Sequence, residues 1–191
     1  SRTAILLAAT ALLGAGCSRN KPNDAIPASG TSARVAMRDA SGRALGDLSL
    51  VQTANGVLLT GLLSNVPAGT HGIHFHTVGR CAPTFEAAGG HFNPTGRQHG
   101  YRNANGAHAG DLPNINVAAD GTVRIELHTS MVNLGGGANG VFDADGTAVM
   151  IHALADDYTT DPSGSSGARI ACGDLALRAI ECDGHALGGT C

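Results

Sequence analysis

Along "GTVRIELH", residues 121–128, Val123, Ile125 and Leu127 fall on one side of an extended chain and Arg124, Glu126 and His128 on the other. That period of two predicts a half-buried strand. Comparable short runs stand at "ARVAMR" (33–38), "LGDLSLVQ" (45–52), "GVLLTGLL" (56–63), "HGIHFH" (71–76), "TAVMIHAL" (147–154) and "CGDLALR" (172–178). Turn formers such as "DASGR", "TANG" and "DADG" separate them. About seven short strands with this punctuation predict an all-β chain, an antiparallel sandwich or barrel. Two segments break the meander. Thr77 to Pro113 and Asp156 to Ala168 are rich in Gly, Pro, Asn and Asp and carry no sustained periodicity. Loops of that length in a compact domain are usually functional.

Composition narrows the picture. With 191 residues and 42% hydrophobic content the chain suits one domain with a sizeable core. Its 28 glycines, 3% aromatic content and lack of Trp favour turns and short strands over long helices. A formal charge of -3, with no run of Lys and Arg, provides no basic field for nucleic acid.

The ends read differently from the middle. In "SRTAILLAATALLGAGCSRN" an Arg precedes an apolar stretch from Ala4 to Leu13, then small residues and Cys17, which is the layout of a secretory signal too short to span a bilayer. Small residues before a Cys also resemble a bacterial lipoprotein processing site, with Cys17 lipidated as a membrane tether. The polar stretch Ser18 to Ser32, with Pro22 and Pro27, reads as a flexible tether. The expected organisation is a signal segment over 1–17, a tether over 18–32, a domain over 33–177 and an extension over 178–191. An exported chain sits where disulfides persist. With Cys17 assigned to lipid, Cys81, Cys172, Cys182 and Cys191 remain, and three pairings of them are open.

Candidate chemistry centres on histidine. In "GIHFHTVGRC" a strand would put His74 and His76 on one face and Ile73 and Phe75 on the other. Further on, "GGHFNPTGRQHGYRNANGAHAGDLPN" supplies His91, His99, His108 and Asp111, and "VMIHALADDY" returns His152 on a later strand. Three imidazoles and a carboxylate suit a closed tetrahedral zinc site that a loop can wrap around the ion.

The order and spacing of these residues resemble the copper/zinc superoxide dismutase family, especially its bacterial exported branch, from about Ala33 to Leu177. "HFNP", "HAGDLPN" and "SGARIACG" occur in the family's order. The resemblance implies a Greek-key antiparallel β-sandwich or flattened β-barrel with two long functional loops. It implies one copper and one zinc ion per subunit, superoxide as substrate, and a bacterial periplasm or cell-envelope location. A homodimer is a candidate assembly. It puts His74, His76, His91 and His152 on copper and His91, His99, His108 and Asp111 on zinc, with His91 bridging as an imidazolate. Asp156 takes the position of the carboxylate that links a copper histidine to a zinc histidine. Arg169 takes that of the anion-guiding arginine, and Cys81 with Cys172 that of the family disulfide. A bridge released on reduction would store a proton for peroxide formation.

Imidazole suits both metals, and an all-histidine copper site serves two oxidation states. A zinc hydrolase would need an open position for water, which four protein ligands leave no room for. The sequence departs from many relatives in its second loop, "DDYTTDPSGSSGAR", which has no Lys or Glu. Steering would then rest on Arg169 and the copper centre, with Arg97 or Arg102 from the first loop as helpers. Cys182 and Cys191 are expected to close a small disulfide loop. His71, His128 and His185 lack evident partners, and His71 and His185 are expected to face solvent.

Overall fold

The structure, a computed structural model, describes residues 29–175. The signal and lipidation assignments at Cys17, most of the tether, the Cys182–Cys191 loop and His185 lie outside the described residues. Gly30 and Thr31 already pair with Gln52, through Gly30 N–H to Gln52 O at 2.8 Å and Gln52 N–H to Thr31 O at 2.7 Å. Among the described residues, strand-like pairing is thus already present just before Ala33.

Among the described residues nine strands form: β1 Ser32–Asp39, β2 Ala44–Thr53, β3 Gly56–Leu63, β4 Gly69–His71, β5 Ile73–His76, β6 Ile115–Val117, β7 Val123–Thr129, β8 Thr147–His152 and β9 Arg169–Leu175. One 3-10 turn, Phe85–Ala88, sits in the first loop. Seven strands make one sheet in the order β5-β8-β9-β1-β2-β3-β7, and β4 pairs with β6. Every pairing between these strands is antiparallel. The chain crosses from β3 on one side to β5 at the far edge, and from β7 back to β8 beside β5. These crossings are the Greek-key connections. The sheet curls into a half-barrel around the apolar side chains.

Alternation supplies the core. Val35 and Met37 of β1, Leu48 and Leu50 of β2, Val57 and Leu59 of β3, and Val123 and Ile125 of β7 are all buried in one cluster. Between them, residues such as Arg34, Arg124 and Glu126 face water. This is the half-buried pattern that the period of two predicted.

β5 and β8 obey a different rule, because they are buried on both faces. Ile73, Phe75, Val149 and Ile151 point into the barrel core. On the opposite face Ala148, Met150 and Cys172 form a second apolar cluster with Ala88 of the first loop, and His74, His76 and His152 lie beside it. The first loop also covers the edge of β5. Phe75 N–H donates to Gly110 O at 2.9 Å, and Phe92 N–H to Phe75 O at 2.8 Å. A Cβ on Gly110 would stand 2.4 Å from Phe75 O, so this approach needs glycine. An edge that could template pairing with another chain is thereby closed.

Three local expectations change. The run "HGIHFH" is not one strand but two, because the chain exchanges partners at Gly72. β4 pairs with β6 and β5 with β8, while Gly72 N–H donates to Leu154 O at 2.8 Å. Strand β6 is three residues long, too short for periodicity to reveal. His71 is buried rather than solvent-facing: its Nδ1 meets the carbonyl of His152 and its Nε2 that of Pro67, each at 2.8 Å. Two carbonyl oxygens thus flank the ring, and one of them accepts its N–H. His128 is exposed on β7, as expected.

Candidate metal centre

The outer face of β5 and β8 and the first loop bring seven side chains that could hold a metal together in two overlapping groups. His74, His76, His91 and His152 form one, and His91, His99, His108 and Asp111 the other. Within each group one ligand atom per residue lies within 4.8 Å of all the rest. His91 belongs to both. All seven residues are buried.

His74, His76 and His152 each present one nitrogen to their group and anchor the other. His74 Nε2–H donates to Asp156 Oδ2 at 2.8 Å, His76 Nδ1–H to Gly89 O at 2.9 Å, and His152 Nδ1–H to Gly167 O at 3.1 Å. These contacts set the tautomers and leave His74 Nδ1, His76 Nε2 and His152 Nε2 turned inward, the last two 3.3 Å apart. His91 Nε2 and His74 Nδ1 are buried with no hydrogen-bond partner. Unpaired buried nitrogens cost about 1 to 3 kcal/mol each, so their convergence fits a shared metal ion.

On the other side, Asp111 Oδ1 lies 2.9 Å from His91 Nδ1, 3.1 Å from His99 Nδ1 and 3.3 Å from His108 Nδ1. Asp111 Oδ2 accepts the amides of Gly100 at 2.9 Å and His108 at 3.0 Å, which fixes the carboxylate. Three Nδ1 atoms around one carboxylate oxygen match the donor set of a closed zinc site. His91 thus offers Nε2 to the copper-type group and Nδ1 to the zinc-type group.

Asp156, buried, joins the two. Its Oδ2 accepts from His74 and its Oδ1 from His99 Nε2 at 2.9 Å. Asn114 holds Asp156 in turn, its side chain accepting the Asp156 amide and donating to the Asp156 carbonyl, both at 2.8 Å. Arg169, half-buried, faces His152 across the β8–β9 pairing. It donates to Phe85 O and Gly89 O, both at 2.6 Å. It therefore shares the Gly89 carbonyl with His76. Cys81 and Cys172 form the disulfide that ties the first loop to β9.

Burial governs protonation. It pushes His74 down to about 3, His76 to about 2 and His152 to about 4, with neighbouring rings adding to the effect. Burial also lowers His91. These rings are neutral at pH 7, the form that binds metal. His99 goes the other way: burial opposes its charge, but hydrogen bonds to Asp111 and Asp156 prevail and raise it to about 9. Burial works against charge on Asp111 and Asp156 too, yet their histidine partners hold both carboxyls well below the ordinary range. Without an ion, a proton on His99 balances the two carboxylates; an ion at Nδ1 would replace it.

The family model for copper/zinc superoxide dismutase matches residues 39–175. The chain belongs to the copper/zinc superoxide dismutase family. A superoxide dismutase-like protein of Bacillus subtilis is 38% identical over 187 residues, covering 91% of this chain and 95% of that protein. A copper/zinc superoxide dismutase of Aquifex aeolicus is 44% identical over 135 residues, covering 69% and 80%. Among solved structures, a double variant of a superoxide dismutase-like protein from Bacillus subtilis aligns with a TM-score of 0.73 at 41% identity, covering 75% of this chain and 96% of that one. The copper/zinc superoxide dismutase of Brucella abortus aligns at 0.64 and 27%, covering 76% and 99%.

Every described residue expected at the family's site is brought together: the seven ligands, Asp156, Arg169 and the Cys81–Cys172 pair. Sequence reasoning passed over Asn114, although it ends the quoted "HAGDLPN". It had no means of finding the Gly89 and Gly167 carbonyls, which act through backbone geometry. Arg97 and Arg102 brace the first loop. Arg97 donates to Gly106 O at 3.0 Å, and the Arg102 guanidinium lies 5.7 Å from the centre of the Tyr158 ring.

Proposed function

We propose that this protein dismutes superoxide, converting two superoxide anions and two protons to dioxygen and hydrogen peroxide, at a copper ion bridged through His91 to a zinc ion. The observation that carries this reading is His91, whose two ring nitrogens face two complete, buried ligand groups. Bound copper would supply the chemistry of accepting one electron and returning it. The protein's own residues do the rest. His74, His76 and His152 present fixed neutral nitrogens, oriented by Asp156, Gly89 O and Gly167 O. His91 Nε2 can hold a proton whenever it is free of metal, placing that proton where peroxide forms. His99, His108 and Asp111 keep His91 Nδ1 engaged and the first loop folded. Arg169, immobilised by two carbonyls, sets a permanent positive charge beside His152 for an anionic substrate.

The apolar segment before Cys17 supports export and an envelope location, with lipid on Cys17, where the enzyme would protect against superoxide arising outside the cytoplasm. The mass of the mature chain tests this: a diacylated N-terminal Cys17 is expected, and a chain beginning elsewhere would refute the tether.

Pulse radiolysis of purified protein with measured metal content, alongside His91→Ala, tests the activity. Rapid superoxide decay with one copper and one zinc per chain, collapsing in the variant, is the expected result. Both metals bound without turnover would replace the enzyme reading with that of a metal-holding protein.

A further inference from the structure

His108 is the zinc-type ligand whose outer nitrogen the site has so far left unexplained. Its Nδ1 is buried, has no hydrogen-bond partner and lies 3.3 Å from Asp111 Oδ1. If Nδ1 gives its lone pair to a metal, a neutral ring must carry its proton on Nε2. Metal-bound imidazoles usually donate that proton to a carboxylate or carbonyl, which orients the ring and raises its basicity. Among the described residues, Asp161 Oδ1 is the carboxylate oxygen within 4.0 Å of His108 Nε2, at 3.8 Å, a few tenths of an ångström beyond hydrogen-bond length. The same oxygen accepts the backbone N–H of His99, the neighbouring ligand, at 2.6 Å.

We propose that Asp161 is a positioning residue of the zinc site, orienting the His108 ring through Nε2 while it holds His99 by its backbone. This rests on the assignment of His91, His99, His108 and Asp111 to zinc. The second loop then supplies two carboxylates to the first loop's ligands: Asp156 to the His99 ring, and Asp161 to the His99 amide and the His108 ring. Asp161 is half-exposed, unlike Asp156. Its contact therefore lies on the solvent side of the zinc site.

The test compares the full chain with Asp161→Asn and Asp161→Ala, with zinc affinity measured by chelator competition and cobalt(II) placed at the zinc site for its visible spectrum. Asp161→Ala should weaken zinc about tenfold or more, the effect of removing a partner that orients a ligand. Asp161→Asn separates the two contacts, because its amide oxygen can still accept the His99 N–H but carries no charge toward His108. We expect Asp161→Asn to weaken zinc and shift the cobalt bands as well. Wild-type affinity and spectrum in Asp161→Asn would overturn the proposal, leaving Asp161 a backbone brace. Wild-type protein that takes up no zinc or cobalt, or a His108→Ala variant that binds both as the wild type does, would instead overturn the zinc assignment itself. Circular dichroism on each variant separates loss of the site from loss of the fold.

Discussion

Gly164 shows how much of the site hangs on single atoms. Its φ of 64° is in the left-handed region, and a Cβ there would stand 1.9 Å from Asp156 Oδ1 and 2.7 Å from His99 Nε2. Gly164→Ala should therefore push Asp156 off the two histidines it joins. The expected loss is about 1 to 3 kcal/mol of stability, as for overpacking a tight site, with weaker zinc binding. Thermal unfolding of metal-loaded and stripped protein checks it, and an unchanged midpoint in both would mean the loop yields without cost. Gly164 could not be singled out from "DPSGSSGAR", because nothing local tells which glycine meets a carboxylate. The candidate ligands themselves were legible, since their types and order carry the family's motifs. His71 was misjudged for the converse reason: its partners are the carbonyls of Pro67 and His152, and carbonyls have no signature in a sequence.

Strands with one wet face carry the clearest pattern, although the runs that hold β5, β8 and β9 also read as strands. β1, β2, β3 and β7 alternate because each has core on one side and water on the other. β8 has no wet face, and its six residues are all buried, so its run of apolar residues resembles any buried segment. The first loop is what makes that second face dry, and the Cys81–Cys172 bond is what fastens the loop. The bond closes a separation of 91 residues, for which loop-closure entropy gives about 4 to 5 kcal/mol. Replacing both cysteines by serine should lower unfolding free energy by an amount of that order. The loss should be larger in stripped than in loaded protein, because bound metal also pins the loop. Denaturant titrations of both forms measure it; equal losses would show that metal and disulfide do not restrain the same element.

Across the whole molecule, burial of charge makes stability depend on pH. In stripped protein the depressed values of His74, His76 and His152, about 3, 2 and 4, mean that the unfolded chain binds those protons more readily. Their contribution is full above the ordinary value of 6.5 and is lost as pH falls. Asp111 and Asp156, also lowered, add to the acid loss at still lower pH. His99, raised to about 9, contributes fully below 6.5 and loses its contribution as pH climbs through about 9. Stability of the stripped chain should peak near 6.5, and zinc should abolish the alkaline decline by replacing the His99 proton. Denaturant midpoints across this range, with and without zinc, decide the matter; a flat alkaline limb in stripped protein would remove His99 from the account.

Substrate capture belongs to the same scale. The second loop carries no Lys or Glu, and Arg169 stands beside His152, so attraction of superoxide rests on a local positive centre. The dismutation rate should fall as salt shortens the screening length to about 10 Å at 0.1 M and below. A rate constant from low to high ionic strength would show that capture is not steered.

The sequence by itself determined the half-buried strands, the two long loops, the seven candidate ligands and the family, and it singled out Arg169, because alternation, turn chemistry and ligand type are written in residue identity. Tertiary structure decided which nitrogen of each histidine faces its ligand group, the burial that keeps four of the rings neutral, the change of partner at Gly72 and the dry second face of β8. Those depend on carbonyls, close approaches and contacts between segments far apart in the chain, and such groups acquire their meaning only when the fold brings them within a few ångströms.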